Sequence, residues 1–196
     1  MARPREFDET AVLDAAMQCF WAKGFEATSV RKLADSAGIA GASLYNSFGD
    51  KRGLYDRALK HYVANGFLER AERFESTLAP LAAIEAFFEE IVRLSLRDKE
   101  RKGCMLVNSA AAPPDAKFQK MIAGVLVEVE QFFLRVVKAG QKDGSISQAQ
   151  PAADLARLLL SLLLGVRVLA RTRPERALLE GAVAPALALI KGSVRR

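Results

Sequence analysis

The side chains most able to do chemistry in this 196-residue chain lie between Thr28 and Lys51, and they are suited to gripping and reading a polymer rather than to breaking bonds. Asn46 offers a donor and an acceptor that can pair with the edge of adenine, and Ser43 and Ala42 are small enough to meet base edges or a thymine methyl. Tyr45 and Lys51 suit phosphate oxygens, as does the helix start at Thr28 and Ser29, and Arg31 and Gly41 complete the candidate DNA-binding set. One reactive group stands apart. Cys104 follows Arg101-Lys102-Gly103 at the expected start of a helix, where cations and a helix N-terminus favour a thiolate. The alternative for Cys104 is an inert packed thiol, since free cysteine is among the most buried residue types. Cys19 reads as core.

Two short helices must position the first set. Thr28 is expected to cap the first of them, and Val30, Leu33 and Ala34 recur at helical spacing to give it one apolar face. Ala37-Gly38 ends it. Ile39, Leu44 and Phe48 then bury one side of a second helix and leave Ala42, Ser43 and Asn46 on the other. Helix, glycine turn, helix is the helix-turn-helix arrangement, whose second helix enters the major groove of DNA. Arg3 and Arg5 precede it in an arm that can reach a minor groove.

From about Phe7 to Tyr62 the chain resembles the tetracycline-repressor (TetR) family of bacterial regulators. The resemblance rests on Leu13-Asp14-Ala15-Ala16-Met17, Phe20, Lys23-Gly24-Phe25 and Ala27-Thr28-Ser29-Val30, and continues through Ala37-Gly38-Ile39, Ser43-Leu44-Tyr45, Phe48 and Lys51. The chain departs from the family pattern at Ala40-Gly41-Ala42, where Ser-Lys-Gly is common, and at Ser47 and Gly49-Asp50. The run Gly103-Cys104-Met105-Leu106-Val107 also resembles a Gly-Cys-Leu-x-Val segment of one subgroup, some members of which sense electrophiles or oxidants through this thiol. The resemblance implies a homodimeric repressor released from a pseudo-palindromic double-stranded operator by a small molecule. A thiol-based electrophile or redox switch at Cys104 is the second regulatory reading. An all-helical enzyme and a pure interaction module are the readings from other classes.

The rest of the chain predicts an all-α fold of about nine helices, with residues 1–50 as arm and DNA-binding head and 51–196 as ligand-binding and dimerisation body. Helix 51–75, capped by Asp50, links the two. Later helices are expected from Pro80, from Cys104 to Pro113-Pro114, from about Asp115 to a stop at Gly140, from Ala152 to Arg171 and from Pro174 to Lys191. Leu155, Leu158, Leu159, Leu162 and Val166 form an apolar face wider than one neighbour covers, which reads as a dimer interface. In the family such helices pair as a four-helix bundle, and a two-fold dimer would set two recognition helices roughly 34–36 Å apart. Phe67, Phe87, Phe88, Met105, Phe118, Met121, Val125 and Phe132 are the candidate lining of a ligand site between helices, and their character points to an apolar or aromatic inducer.

Composition excludes more than it assigns. The chain is 51% hydrophobic and 27% charged, which is ordinary for a globular protein. Its net charge of +6 leans toward an acidic partner, but residues 1–60 hold nine Lys+Arg against eight Asp+Glu, so local placement matters more than the total. One histidine (His61) and two cysteines give no metal-ligand spacing, and no phosphate loop or nucleophile elbow appears. The sequence therefore calls for no metal and no cofactor. The Leu158–Val166 stretch lies between Arg157 and Arg167 and is too short for a bilayer, so no membrane partner and a cytoplasmic location are expected.

Overall fold

A computed structural model describes residues 7–110 and 116–192, except the side chains of Ala110, Lys117 and Phe118. Arg3, Arg5 and Pro113-Pro114 lie outside the described residues, as does the Phe118 side chain. Three helices open the fold: α1 (Glu9–Lys23), α2 (Val30–Ala37) and α3 (Gly41–Phe48). The Asp8 side chain caps α1 by accepting from the Thr10 amide at 2.9 Å. The expected cap of α2 shifts by one residue. Ser29 Oγ accepts from the Lys32 amide at 3.2 Å, while Thr28 is fully buried and its hydroxyl donates to the Gly24 carbonyl at 2.7 Å. The α2 helix closes at Gly38 with φ 64°, the left-handed conformation glycine adopts freely.

Asp50 caps α4 (Lys51–Val63) through the Gly53 amide at 2.7 Å. The helix then widens into a π turn at Ala64–Leu68 and continues as α5 (Glu69–Thr77). Taking 51–77 as one continuous helix, the described residues form nine, as the sequence predicts. The others are α6 (Pro80–Arg97), α7 (Met105–Ala110), α8 (Ala116–Asp143), α9 (Ala152–Thr172) and α10 (Arg176–Ile190). Gly140 does not stop α8. A Cβ there would come within 2.5 Å of Ile146 Cδ1, so its bare backbone instead seats Ile146 of the following loop, which is buried.

Two apolar clusters divide the interior. One joins Phe20, Leu33, Leu44, Phe48, Leu54 and Leu59 of α1–α4, and it also takes in Met105, Leu106, Ile122 and Val125 from α7 and α8. The other centres on Phe87, Phe88, Phe132 and Phe133, with ring centroids 5.2–5.8 Å apart, and extends through α9 and α10. Leu155, Leu159 and Val166 lie in this second cluster, buried within the protomer itself. That corrects the expected outer face of α9: of the five residues, Leu158 is exposed (42%), and Leu162 is half-buried against the core. The outward row of α9 is Leu158, Ser161, Gly165 and Val168, beside exposed Gly181, Ala184, Ala188 and Leu189 of α10. The apolar excess was real, but α6, α8 and α10 absorb most of it from three sides. Among the described residues no helix is long and apolar enough to cross a membrane, and no cluster of His, Cys, Asp or Glu is arranged to hold a metal ion.

Candidate nucleic-acid interface and ligand cavity

The outer face of the head is built by what α3 buries. Leu44 and Phe48 point inward, with no measurable exposure for Leu44, so Ala42, Tyr45 and Asn46 must point outward, and all three are exposed. Gly41 and Ser43 are half-buried. Ala40 precedes α3 without a side-chain cap, which leaves the first amides of the helix, at Gly41 and Ala42, without a side-chain acceptor of their own. Arg31 is almost fully exposed, its nearest carboxylate being Asp35 at 4.0 Å. Lys51 reaches back to the α1–α2 turn, donating to the Glu26 carbonyl at 3.3 Å with its ammonium 4.4 Å from the Phe25 ring centroid. Thr28 does not belong to this surface: it is buried, and its hydroxyl is spent on α1.

A cavity of about 440 Å³ lies where head and body meet. Its walls come from α1 (Met17, Trp21), the π turn (Asn65, Gly66, Phe67), α6 (Phe87, Ile91), α8 (Val125, Val129) and α9 (Leu160, Leu163). Of the residues expected to line it, Phe67, Phe87 and Val125 do. Phe88 and Phe132 sit deeper in the aromatic core, and Met105 packs into the head cluster. Met121 is half-buried against the head cluster, off the cavity wall. Helical spacing marked these side chains as buried but not which of them a void would touch.

The cavity also holds groups the sequence reading passed over: Tyr62, Asn65, Arg70, Arg97, Asp98, Lys102 and Arg167. Arg167 donates to Ser95 Oγ at 3.1 Å and to the Gly103 carbonyl. Gly103 has φ 69°, and a Cβ there would lie 3.2 Å from Arg171 Cβ, so only glycine brings this carbonyl against α9. Tyr62 Oη donates to Cys104 Sγ at 3.6 Å. Burial, and next the facing Cys104, push the Tyr62 phenol far above its ordinary range, so it stays protonated. Burial acts against the Arg167 charge, but Tyr62 and Cys104 beside it outweigh that and hold its pKa above the ordinary value. Cys104 is half-buried on the cavity wall, and both cysteines are free thiols. Tyr55 Oη and Ser109 Oγ, 2.6 Å apart, tie α4 to α7 just beyond it. His61 is no catalyst by position: it pairs with Asp14 at 2.7 Å and joins α4 to α1.

These features are those of a known class. Residues 12–58 match the family model of the bacterial regulatory proteins of the TetR family. The chain is 30% identical over 194 residues to an uncharacterized HTH-type transcriptional regulator, YezE, of Bacillus subtilis (strain 168), covering 97% of this chain and 100% of that one. It is 26% identical over 197 residues to the HTH-type transcriptional repressor ComR of Escherichia coli (strain K12), covering 99% and 90% respectively. A solved TetR family transcriptional regulator, a cysteine mutant of CifR complexed with a 26-base-pair double-strand operator, matches with TM-score 0.83 at 28% identity, over 95% of this chain and 98% of that one. The protein belongs to the TetR family and is a DNA-binding transcriptional regulator, not an enzyme.

Proposed function

We propose that the protein is a homodimeric repressor that leaves its operator when a small molecule enters the cavity. The observation that carries this reading is the cavity's position: one void touches Met17 and Trp21 of the head and Leu160 and Leu163 of the body. A ligand there contacts α1 directly and presses on the π turn that continues α4. It shifts the population toward whichever head orientation accommodates it better. Single π turns inside α-helices recur at functional sites. In this reading residues 1–50 are the reading unit, 51–196 the ligand and dimer unit, and helix 51–75 the link between them. Dimerisation uses the outward row of α9 with the exposed small residues of α10. The protein works in the cytoplasm on double-stranded, pseudo-palindromic DNA.

The base-reading set is Ala42, Ser43 and Asn46. The phosphate set is Ser29, Arg31, Gly41, Tyr45 and Lys51. Fluorescence anisotropy of the reduced protein on DNA from upstream of its own gene, with excess nonspecific competitor, tests both. Asn46→Ala is expected to lower operator affinity about tenfold and to relax preference at one base position, whereas Tyr45→Phe weakens all sequences alike. Competitor-sensitive binding by the unaltered protein would refute a sequence reader at this gene.

A second reading rests on Cys104 at the cavity wall beside Tyr62 and Arg167. An electrophile that bonds this thiol would occupy the same void. Treatment with N-ethylmaleimide is then expected to release operator DNA from the unaltered protein and to leave a Cys104→Ala variant bound. Equal release from both would remove Cys104 from the mechanism.

A further inference from the structure

The cavity wall carries more positive charge and more hydrogen-bond donors than the protein itself satisfies. Four cations line it (Arg70, Arg97, Lys102 and Arg167) against one carboxylate, Asp98, which accepts from the Gly103 amide at 3.0 Å. Two of the cations are already matched. Arg70 pairs with Glu90 at 2.8 Å, and although burial opposes the Glu90 charge, Arg70 and Arg73 hold its carboxyl below the usual range. Lys102 pairs with Glu100 at 2.7 Å. Arg97 is exposed to solvent.

Arg167 differs from all three. It is mostly buried, and its neighbours are a serine hydroxyl, a backbone carbonyl, a protonated phenol and a thiol. Among the described residues no carboxylate forms an ion pair with it. A guanidinium has five N–H donors in a planar fork; Ser95 and Gly103 account for two, and the Tyr62 oxygen and Cys104 sulfur also accept from it, but neither is a carboxylate. Keeping such a charge away from water without a counter-ion is costly, and the cost falls when an anion arrives. The Trp21 indole Nε1, also on the wall, is buried and has no acceptor among the described residues. Much of the remaining wall is hydrocarbon, including Phe67, Phe87, Ile91, Leu160 and Leu163.

We infer that the cavity takes a small carboxylic acid with an apolar body, its carboxylate held by the Arg167 guanidinium and its body against the Phe67, Phe87 and Leu163 side. Arg–carboxylate pairing in a fork geometry is both directional and strong for a hydrogen bond. The Ser95 hydroxyl and the Gly103 carbonyl fix the guanidinium plane before the ligand enters, so little ordering is left to be lost on binding. This rests on the reading of the cavity as the inducer site and replaces a purely apolar inducer with an amphipathic one.

Two matched pairs serve as probes, 4-phenylbutanoate with 4-phenylbutanamide and octanoate with octanamide. Each is titrated by calorimetry into the full-length reduced protein without DNA at neutral pH. At least one acid is expected to bind about tenfold or more tightly than its amide, the contribution of a hydrogen-bonded charge. Arg167→Gln should bring the acid-to-amide ratio to about one while leaving amide binding unchanged. Arg167→Lys keeps the charge without the fork, so it should retain part of the preference; it also guards against a glutamine variant that fails to fold. Amides binding as well as acids, neither acid binding at millimolar concentration, or a preference that survives Arg167→Gln would each overturn the assignment. Because no DNA is present, these outcomes are independent of whether the protein represses. Adding the bound acid to the operator complex tests that separately, and acid binding without DNA release would sink the release mechanism while leaving the Arg167 site intact.

Discussion

Replacing Gly53 by alanine is expected to lower operator affinity on the order of a hundredfold while the protein remains folded. Alanine in a helix normally stabilises by about 1 kcal/mol over glycine. Here the sign reverses, because a Cβ on Gly53 would lie 2.2 Å from the Phe48 carbonyl oxygen. That oxygen belongs to the backbone at the end of α3 and cannot rotate away as a side chain can. The α3–α4 corner must open, at an overpacking cost of about 1–3 kcal/mol. Opening it tilts the helix that carries Tyr45 and Asn46. Each good bidentate base contact contributes about 1–3 kcal/mol of discrimination, and a dimer would lose such contacts in both half-sites at once. Gly124→Ala in α8 is the control, since nothing lies within 4 Å of its Cβ, and it should be neutral or mildly stabilising. Circular dichroism melts report folding, and anisotropy on the operator reports affinity. Wild-type affinity in Gly53→Ala would show that the corner does not govern the recognition helix.

Gly53 also marks where the sequence stopped being informative. The helix-turn-helix was legible because its signals are local: a glycine that needs a left-handed φ, apolar residues at helical spacing, and small or polar residues between them. Burial of Leu44 and Phe48 follows from that spacing, and so does exposure of Asn46. The Thr28 assignment failed because threonine and serine are both good caps, and neighbouring Ser29 takes the role once Thr28 turns its hydroxyl onto Gly24. Gly53 carries no local signal, and Gly140 reads as a helix stop, because the atoms that exclude a Cβ at each come from Phe48 and Ile146, across a turn or a loop.

The body was less legible for a related reason. A leucine-rich helix announces that it is covered, not by what. Leu155, Leu159 and Val166 could face a twin subunit or their own α8, and periodicity alone does not separate the two. The cavity was harder still. Arg167 directly follows the apolar stretch Leu158–Val166, where it reads as the flank of that run. Its meaning depends on Ser95 and on Gly103, 72 and 64 residues away in the chain. A charged residue interrupting a long apolar stretch was the available signal.

The aromatic core sets the other large effect. Phe133→Ala is expected to destabilise the protein by about 4–5 kcal/mol and Phe87→Ala by about 3 kcal/mol, although both side chains are wholly buried. Phe87 touches four other rings at centroid distances of 5.5–5.7 Å, so contact number alone would rank it first. The ranking reverses because one side of Phe87 faces the 440 Å³ cavity, whereas Phe133 is not on that cavity's wall. Removing Phe133 opens a new hole with a full complement of lost neighbours, while removing Phe87 enlarges a void that already exists. Against a typical total of about 5–15 kcal/mol either loss is a large fraction. Urea denaturation at fixed protomer concentration gives the two values, the concentration being held because a dimer's stability depends on it. Since Phe87 lies in the body cluster, away from the rings packed beneath α3, the folded Phe87→Ala protein should keep wild-type operator affinity. It should also accept acids with bulkier bodies than the unaltered cavity admits. Equal destabilisation by the two substitutions, or a loss of DNA affinity in folded Phe87→Ala, would mean that Phe87 is core to the head's position rather than a wall of the ligand site.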